Sequence, residues 1–336
     1  MYKVSVIGCG GIAQVHGAVL TALDGVQLTA CCDIVPEKAA AFAEKFRCTP
    51  YTDFEELLEK EKPDAVHLCT PHYLHTPMAV KAAEMGIHVF TEKPPVISRE
   101  EWDFLQKAAE KVRIGICVQN RYNPNVQKAL EMLSSGAMGA VKGGRACVFW
   151  DRGADYYASG DWRGKWKTEG GGALINQSIH TLDLMIQLGG PVARVKGTVS
   201  TDRLADAIEV EDNAHAVLDF ASGARGLIYT TNNYTCDAPV MVECVFENAT
   251  WQMIGDKLFR VEDGVPVLHL DGAIAATVAD KAYWGAGHAA QIAHYYDCLA
   301  RGEKFPIDGR SAYPALELVK GIYTSSDEKR WVEMQG

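Results

Sequence analysis

The stretch Lys3-Val4-Ser5-Val6-Ile7-Gly8-Cys9-Gly10-Gly11-Ile12-Ala13 decides the fold of the N-terminal part of the chain. Its first five residues predict a short buried strand, and the glycines after it open a helix that runs to about Leu23. The first glycine permits a tight turn, the second lets a pyrophosphate approach the backbone, and the alanine allows the helix to pack closely on the strand. Helix amides and the helix dipole then favour bound phosphate. The residues predicted to hold a dinucleotide here are Gly8, Gly10, Gly11, Ile12 and Ala13.

A second predicted strand, Leu28–Cys32, ends at Asp33, twenty residues beyond Ala13. An acidic side chain at this distance is typical of a carboxylate that binds the ribose hydroxyls of NAD. It would repel the 2′-phosphate of NADP, and residues 34–36 supply no arginine to accommodate that group. We therefore predict NAD as the cofactor, with NADP disfavoured. The alternative is that Asp33 is a solvated carboxylate at a strand end.

Strands and helices alternate through the first third of the chain, as in a doubly wound α/β sheet. Further predicted strands span residues 64–69, 87–91 and 113–118, and polar residues follow each of them. Ligands bind at the carboxyl edge of such a sheet, so these polar residues are candidate contacts. The candidates are Thr70, Pro71, His75, Glu92, Lys93, Asn120 and Arg121.

Three glycines at 170–172 open a predicted amphipathic helix in the middle of the chain. Asn176, His180 and Asp183 recur on it at helical spacing, so they should share one stripe among apolar residues. Polar groups on an apolar helix need partners. A polar substrate is one candidate partner, and the neighbouring backbone is the other.

The rest of the chain predicts a second α/β domain with an open, mostly antiparallel sheet. The domains are therefore expected at residues 1–121 and 122–336. If Tyr229, Val242 and Phe246 point outward, the open face suits a partner subunit, which predicts a homodimer or homotetramer. Helices return from residue 287, and the segment 311–325 is expected near the cleft. The strands predicted after the glycine-led helix span residues 192–200, 211–220, 224–232, 240–247, 250–254 and 257–261.

Composition fits an ordinary globular enzyme. The 336 residues include 33 basic and 43 acidic side chains, and the net charge of −10 argues against nucleic acid as a partner. No apolar run approaches membrane-spanning length and the start has no signal-peptide pattern, so we expect a cytoplasmic protein that does not bind membranes. The ten cysteines form no C-x-x-C pair, which favours free thiols over disulfides or a metal site.

Four motifs together resemble the glucose-fructose oxidoreductase, inositol dehydrogenase and rhizopine catabolism (Gfo/Idh/MocA) family, in order and spacing over essentially the whole chain. They are the turn at 8–13, Thr70-Pro71 with His75, Glu92-Lys93-Pro94, and the glycine-led helix through His180. The resemblance implies a Rossmann domain followed by a domain whose open sheet covers the nicotinamide and mediates oligomerisation. It also implies that Lys93 lies beside the reacting carbon and that His180 faces the sugar.

One position departs from the family pattern. Many members have an aspartate four residues before the histidine, whereas this chain has Asn176, and an amide cannot accept a proton as a carboxylate does. The preceding string at 161–169 is similar to the branch that includes UDP-N-acetylglucosamine 3-dehydrogenases. That similarity implies oxidation at a sugar C3 hydroxyl.

Oxidation of a secondary alcohol needs a group that takes the hydroxyl proton while hydride leaves for the nicotinamide. A lysine desolvated beside an oxidised nicotinamide has a lowered pKa, and a histidine titrates near neutral pH. We assign Lys93 as orienter and proton-transfer partner and His180 as base, with the reverse order left open. The alternative for Lys93 is a solvated lysine at a strand end.

The remaining candidates lie in loops or at the predicted domain junction. Trp162 can stack on a sugar or nicotinamide face and Arg163 can bind hydroxyls or phosphate, although hinge packing and surface charge are equally consistent. With Arg152, Lys165 and Lys167, Arg163 forms either a phosphate clamp or a solvated basic loop. The full set of candidate substrate ligands is Lys93, Arg121, Trp162, Arg163, Asn176, His180, Asp183 and His288; Asn120, Trp162 and Arg163 are also candidate cofactor contacts.

Three hypotheses for function follow. The first is an NAD-dependent dehydrogenase of a sugar, glycoside, sugar nucleotide or cyclitol. The second is an enzyme that retains its cofactor, either transferring hydride between two sugars or cleaving a glycoside. The third is a sensor of the dinucleotide or of sugars without catalysis.

Overall fold

A computed structural model describes residues 1–273 and 287–334, which divide into two compact units. The first unit comprises Met1–Gln119 together with residues 287–312, and the second comprises residues 120–273 and 313–334. The first unit ends two residues before the expected boundary. The first unit also includes residues 287–312, which the boundary expected at residue 121 assigned to the second domain. Side chains of this segment complete the core of the first unit.

The first unit contains a six-stranded parallel sheet in the order β3-β2-β1-β4-β5-β6. The inner strands are covered on both faces, and residues Val4–Ile7 of β1 are all buried. The strands are β1 (Tyr2–Ile7), β2 (Val26–Cys32), β3 (Thr49–Tyr51), β4 (Ala65–Leu68), β5 (His88–Thr91) and β6 (Ile114–Ile116). The helices between them are α1 (Gly11–Ala22), α2 (Pro36–Phe46), α3 (Phe54–Glu61), α4 (His72–Glu84) and α5 (Arg99–Ala109).

Local signals explain where several of these helices begin. Asp53 and Ser98 cap α3 and α5 through bonds to backbone amides three residues on, and Pro36 occupies the first turn of α2. Helix α4 begins at His72, directly after Pro71 at its N-cap position. The predicted Rossmann fold is confirmed.

The second unit contains a nine-stranded sheet in the order β14-β13-β12-β11-β7-β10-β9-β8-β15. All neighbours are antiparallel except β7 and β10, which confirms the predicted mostly antiparallel sheet. The strands are β7 (Val141–Phe149), β8 (Val192–Ser200), β9 (Asn213–Phe220), β10 (Arg225–Thr231), β11 (Met241–Phe246), β12 (Thr250–Ile254), β13 (Lys257–Glu262), β14 (Val265–Asp271) and β15 (Val332–Glu333). The helices from residue 120 onward are α6 (Pro124–Ser134), α7 (Ala154–Ala158), α8 (Ile179–Gly189), α9 (Gly287–Arg301) and α10 (Gly309–Glu328); α9 belongs to the first unit.

Helix α8 packs against β7 and β11 and covers one face of this sheet. Val242 and Phe246 lie on the covered face and are buried, so these two residues do not have the outward orientation considered for them. Tyr229, by contrast, is 39% exposed. Residues 241–246 place apolar side chains on both faces of β11, so the sequence alone does not decide which face the helix covers.

None of the helices in residues 1–273 and 287–334 has an apolar stretch long enough to span a bilayer.

Candidate active site

The glycine-rich turn joins β1 to α1 at the carboxyl edge of the parallel sheet. Gly8 has a φ of +85°, and a Cβ there would lie 2.6 Å from the carbonyl oxygen of Cys69, so this position requires glycine. Gly10 is the N-cap of α1, and a Cβ added at Gly10 or Gly11 would meet no atom within 4 Å. The turn therefore leaves open space before the amides of the first helical turn, which contains Ile12 and buried Ala13.

Asp33 connects the end of β2 to this turn. Its Oδ2 accepts a hydrogen bond from the Cys9 amide at 2.8 Å, and its Oδ1 accepts one from the Val35 amide at 2.9 Å. The carboxylate is thus fixed beside the glycine-rich turn and is half-buried. This arrangement fits the pyrophosphate and ribose of a dinucleotide, as predicted from the spacing.

The next two strand ends are held together by His75. Its Nδ1 lies 2.8 Å from the Pro94 carbonyl oxygen and its Nε2 lies 2.8 Å from the Thr70 carbonyl oxygen. Burial lowers the pKa of His75, although both carbonyl contacts act in the opposite direction. The imidazole thus links the loop after β4 to the loop after β5, where the Lys93–Pro94 peptide bond is cis.

Thr70 supplies a second indication that this edge binds a ligand. Its hydroxyl is buried and has no hydrogen-bond partner among the described residues. Buried hydroxyls are nearly always bonded, so an unpartnered one at the ligand edge of a Rossmann sheet fits a polar group supplied by a cofactor.

Lys93 is half-buried and follows Glu92, which is buried. The Glu92 side chain accepts the Lys93 amide at 3.3 Å and a contact from His16 at 3.1 Å. His288, at the start of α9, is buried with its Nε2 4.0 Å from Glu92 Oε1. His288 and Glu92 are nearly two hundred residues apart in the sequence, so only the tertiary fold brings them together.

In the second unit, the glycine-led segment is not one regular helix, so the prediction of a continuous α-helix from Gly170 is wrong. Residues Ala173–Gln177 form a π-helical turn in which the Ser178 amide bonds to the Ala173 carbonyl at 2.9 Å, and α8 begins only at Ile179. A π turn adds a residue to the repeat, which rotates the side chains before it relative to those after it. Asn176 lies in the π turn, whereas His180 and Asp183 lie in α8.

The two outer members of the predicted stripe have separate partners. Asn176 Nδ2 donates to Glu169 Oε1 at 2.5 Å and to Tyr156 Oη at 3.2 Å. Asp183 binds Arg121, and both side chains are buried. His180 is half-buried at the first turn of α8. The alternative to a substrate partner was the neighbouring backbone. The structure instead gives Asn176 and Asp183 neighbouring side chains as partners.

Tyr156 is a member of this cluster that the sequence interpretation missed. Its Oη accepts Arg163 Nη1 at 2.6 Å and Gln177 Nε2 at 3.1 Å in addition to Asn176. The Arg163 guanidinium lies over the rings of Tyr156 and Trp162, at 4.5 and 4.4 Å from their centroids. The only sequence signal for Tyr156 is an aromatic pair in a polar loop, which does not reveal partners up to 21 residues away.

Two buried acidic side chains form hydrogen bonds that hold the glycine-led segment in place. Glu211 accepts the amides of Gly172 and Leu174 at 2.9 Å each and the hydroxyl of Tyr323 at 2.9 Å. Burial raises the pKa of Glu211 to about 7, with these bonds acting in the opposite direction. Glu169, which also binds Asn176, accepts the Gly164 amide at 2.5 Å. These acids therefore hold the turn that carries Asn176.

The remaining candidates occupy intermediate positions. Asn120 lies in a 3₁₀ turn, Gln119–Tyr122, between the two units in sequence. In the basic loop, Arg152 is paired with Asp237 at 2.6 Å, and Lys165 and Lys167 are exposed. Among the described residues no carboxylate pairs with Arg163, so of these four basic residues it is the best placed for a ligand.

Comparison with known proteins places both units. The sequence profile of an oxidoreductase family with an NAD-binding Rossmann fold matches residues 2–119, and the profile of the GFO/IDH/MocA C-terminal domain matches residues 126–252. D-apiose dehydrogenase of Paraburkholderia graminis is 26% identical, and the alignment covers 99% of this chain and 90% of that protein. D-glucoside 3-dehydrogenase of Escherichia coli is 28% identical over 69% of this chain and 70% of its own length.

A solved structure covers the whole chain. The WlbA dehydrogenase from Bordetella pertussis, in complex with NADH and UDP-GlcNAcA, has a TM-score of 0.87 and 29% identity and is matched over 100% of this chain and 99% of its own.

Proposed function

The chain belongs to the Gfo/Idh/MocA family of NAD-dependent oxidoreductases, and from this membership we propose that it oxidises the C3 hydroxyl of a sugar or sugar nucleotide. Membership confirms the resemblance recognised from the motifs and makes the protein a dehydrogenase of sugar-type hydroxyl groups that uses NAD. The position of oxidation and the substrate are the parts that we propose.

The carboxyl edge of the first sheet supports the NAD-dependent part of this function. Gly10 and Gly11 leave space for a pyrophosphate, and Asp33 is fixed beside them, where it could bind a ribose. The buried Thr70 hydroxyl has no hydrogen-bond partner among the described residues, so a polar group of the cofactor could bind it. Bound NAD supplies the hydride acceptor. Lys93 follows the next strand at this same edge, so it suits a role in orienting the substrate hydroxyl.

His180 is proposed as the base that takes the hydroxyl proton, with Lys93 stabilising the oxygen. Asn176 does not take part as a proton acceptor, because a side-chain amide is not basic. Its nitrogen donates to Glu169 and Tyr156. The Glu169 carboxylate and the Tyr156 hydroxyl therefore fix the orientation of the Asn176 amide.

Arg163 supports a substrate that carries negative charge. Its guanidinium lies against two aromatic rings, and no carboxylate among the described residues neutralises it. A cation held in this way can bind a phosphate or a carboxylate of the substrate. We therefore place UDP-sugars, including a uronate, ahead of free sugars, glycosides and cyclitols.

The test begins with the absorbance of freshly purified protein in the reduced-nicotinamide band, and continues with NAD and the four substrate classes in turn. We expect NADH to accumulate with a UDP-sugar, and borodeuteride reduction of the product to place deuterium at C3. Lys93→Met and His180→Asn should abolish turnover while NAD binding persists. Bound NADH that survives dialysis and changes only within one turnover would favour the retained-cofactor enzyme. Binding without turnover in every class would contradict the proposal.

We also propose that the open face of the second sheet joins copies of the chain. Leu227, Tyr229 and Val245 on that face are 51%, 39% and 38% exposed. Light scattering should give a dimer or tetramer, and Leu227→Glu should shift it toward monomer. A monomeric wild-type protein would contradict this proposal.

A further inference from the structure

Four buried polar side chains form a continuous chain within the first unit. Glu92 Oε1 lies 3.1 Å from His16 Nε2, His16 Nδ1 lies 2.7 Å from His67 Nδ1, and His67 Nε2 lies 2.9 Å from Tyr296 Oη. None of the four is more than 7% exposed. Apart from Glu92, these residues have no role in the proposed binding of cofactor or substrate.

The first link gives Glu92 a partner that can carry a positive charge. A buried carboxylate is costly unless a positive charge and hydrogen bonds compensate it. The ion-pair contacts of Glu92 among the described residues are with imidazoles, His16 at 3.1 Å and His288 at 4.0 Å. Burial by itself raises the pKa of Glu92, but the hydrogen bond and charge of His16, aided by His288 and Cys117, hold it well below its usual range.

The other two histidines are poor candidates for the positive charge. Burial, followed by the charge of His16, holds the pKa of His67 well below its usual range. Burial lowers the pKa of His288 to about 4; the Glu92 carboxylate raises it, and the charges of His16 and Lys93 lower it further. His16, which contacts both Glu92 and His67, is therefore the imidazole placed to hold the compensating proton.

The geometry accommodates that proton without leaving any group unpaired. A protonated His16 donates from Nε2 to Glu92 and from Nδ1 to the Nδ1 of a neutral His67. His67 then carries its proton on Nε2 and donates to Tyr296 Oη. Phe90 packs against both imidazoles, with ring centroids at 5.9 Å from His16 and 4.9 Å from His67.

We propose that His16 and Glu92 form a buried imidazolium–carboxylate pair that positions Lys93, with His67 and Tyr296 fixing the imidazole. The connection to Lys93 is short, because Glu92 Oε2 accepts the Lys93 amide at 3.3 Å. His16 is therefore a positioning residue, acting through Glu92. The claim about Lys93 rests on the proposed function, which gives Lys93 its part in the reaction, whereas the ion pair itself does not.

A bound cation is the competing explanation of the cluster. His16, Glu92 and Cys117 each offer a possible ligand atom, and these atoms lie within 4.8 Å of one another. A metal ion would require a thiolate, and without a metal, burial and the nearby Glu92 charge raise the pKa of the Cys117 thiol well above its usual range, so metal binding would have to displace a proton. Elemental analysis of the protein as purified separates the two, and one tightly bound metal ion per chain would overturn the proposal.

The ion pair is tested without any substrate, by ¹⁵N NMR of histidine-labelled full-length protein at pH 7. We expect both ring nitrogens of His16 to be protonated and His67 to carry its proton on Nε2, with signals assigned from their loss in His16→Gln and His67→Gln. Glu92→Gln should remove one proton from His16. A neutral His16 in the wild-type protein would overturn the proposal, whether or not the protein oxidises sugars.

The positioning role is tested with two substitutions of one residue. Glutamine at position 16 can place an amide donor near Glu92, whereas asparagine is too short. We expect His16→Asn to lower kcat by about tenfold or more, to leave the KM values for NAD and sugar within about threefold, and to shift the pH profile of kcat. His16→Gln and Tyr296→Phe should lose less.

Equal losses in both His16 variants, or reduced thermal stability with an unchanged pH profile of kcat, would mean a merely structural role and contradict positioning. If His16→Asn does not fold, the kcat and its pH profile are compared between His16→Gln and Glu92→Gln instead. Only Glu92→Gln removes the carboxylate charge, so this comparison also separates a positioning role from a structural one. A wild-type protein inactive on every sugar class defeats the proposed function, while the NMR result still decides the ion pair.

Discussion

The Arg121 guanidinium binds the Asp183 carboxylate through two hydrogen bonds, from Nε to Oδ2 at 2.7 Å and from Nη2 to Oδ1 at 2.5 Å. Both side chains are buried, and both are candidate substrate ligands from the sequence. We expect Asp183→Asn to reduce the free energy of unfolding by about 3–5 kcal/mol, because a buried guanidinium loses its counter-charge. Urea denaturation measures this loss. Glu56→Gln, which breaks the exposed pair with Lys60, is the control and should cost less than about 1 kcal/mol.

A different result would restore Asp183 to the substrate site. If Asp183→Asn is as stable as wild type and raises the KM for sugar alone, the carboxylate acts on substrate. The ion pair with Arg121 would then be secondary.

Glu211 should make stability depend on pH near neutrality. Its pKa of about 7 lies above the ordinary value of 4.5, so the folded state holds a proton that the unfolded state releases between these values. This stabilisation is fully present below pH 4.5 and is lost as pH rises through 7, by about 3 kcal/mol in total. Denaturation at pH 5 and pH 8 should show the loss in wild type but not in Glu211→Gln. Exposed Glu209→Gln should retain it, and equal pH dependence in all three proteins would refute the assignment.

Gly8 and Gly10 should respond to alanine in opposite ways. A Cβ at Gly8 would lie 2.6 Å from a backbone oxygen at positive φ, so Gly8→Ala should lower thermal stability. Gly10 has a φ of −73° and open space, so Gly10→Ala should remain stable. It should nevertheless raise the Kd for NADH by about tenfold, because its methyl group occupies the space expected for the pyrophosphate. Fluorescence titration measures binding, and unchanged affinity in Gly10→Ala would exclude the turn from the cofactor site.

Gly171 should be far less tolerant than Gly190, although both have positive φ. A Cβ at Gly171 would lie 2.0 Å from Tyr323 Oη, whereas a Cβ at Gly190 meets nothing within 4 Å. We expect Gly190→Ala to cost about 1–2 kcal/mol in the free energy of unfolding, from backbone strain alone. Gly171→Ala should cost about 3 kcal/mol or more, from strain and overlap together. Partial relief by Tyr323→Phe in the double variant would identify the overlap as the cause, and equal costs for the two alanines would contradict it.

Asp33 should set the choice between NAD and NADP. Replacing it by asparagine removes the negative charge that repels a 2′-phosphate, so the NADP-to-NAD ratio of kcat/KM should rise by about tenfold or more. Glu37→Gln, which neutralises an exposed acid in the first turn of α2, should leave the ratio unchanged. A constant ratio in Asp33→Asn would assign the carboxylate to its bonds with Cys9 and Val35 alone.

The sequence predicts those parts of the fold that are determined by residues close to one another along the chain. The turn at Gly8 requires positive φ, and Asp33 ends its strand at a fixed distance from that turn, so both can be read from neighbouring residues. The π turn at 173–177 leaves no such signal, because its extra residue is stabilised by Glu211, more than thirty residues downstream.

Long-range contacts likewise account for the parts of the candidate site that the sequence did not predict. His16 and Glu92 are 76 residues apart, and His67 and Tyr296 are 229 residues apart, so no spacing rule connects them. Lys93 could be identified because its short motif resembles that of a family, whereas the groups that hold its turn could not.

Helix α9 also has a consequence for the order in which the chain acquires structure during synthesis. Tyr295 donates to the carbonyls of Val89 or Arg113, and Gln291 bonds to the backbone of Ile116 and Val118, so α9 completes a core whose strands end at residue 116. From Gln119 to Gly287 a ribosome adds 168 residues, which takes roughly 8–34 s at about 5–20 residues per second. During that interval the nascent Rossmann sheet lacks its last covering helix, so chaperone binding to ribosome-bound chains should peak before residue 287 emerges and fall once α9 can dock.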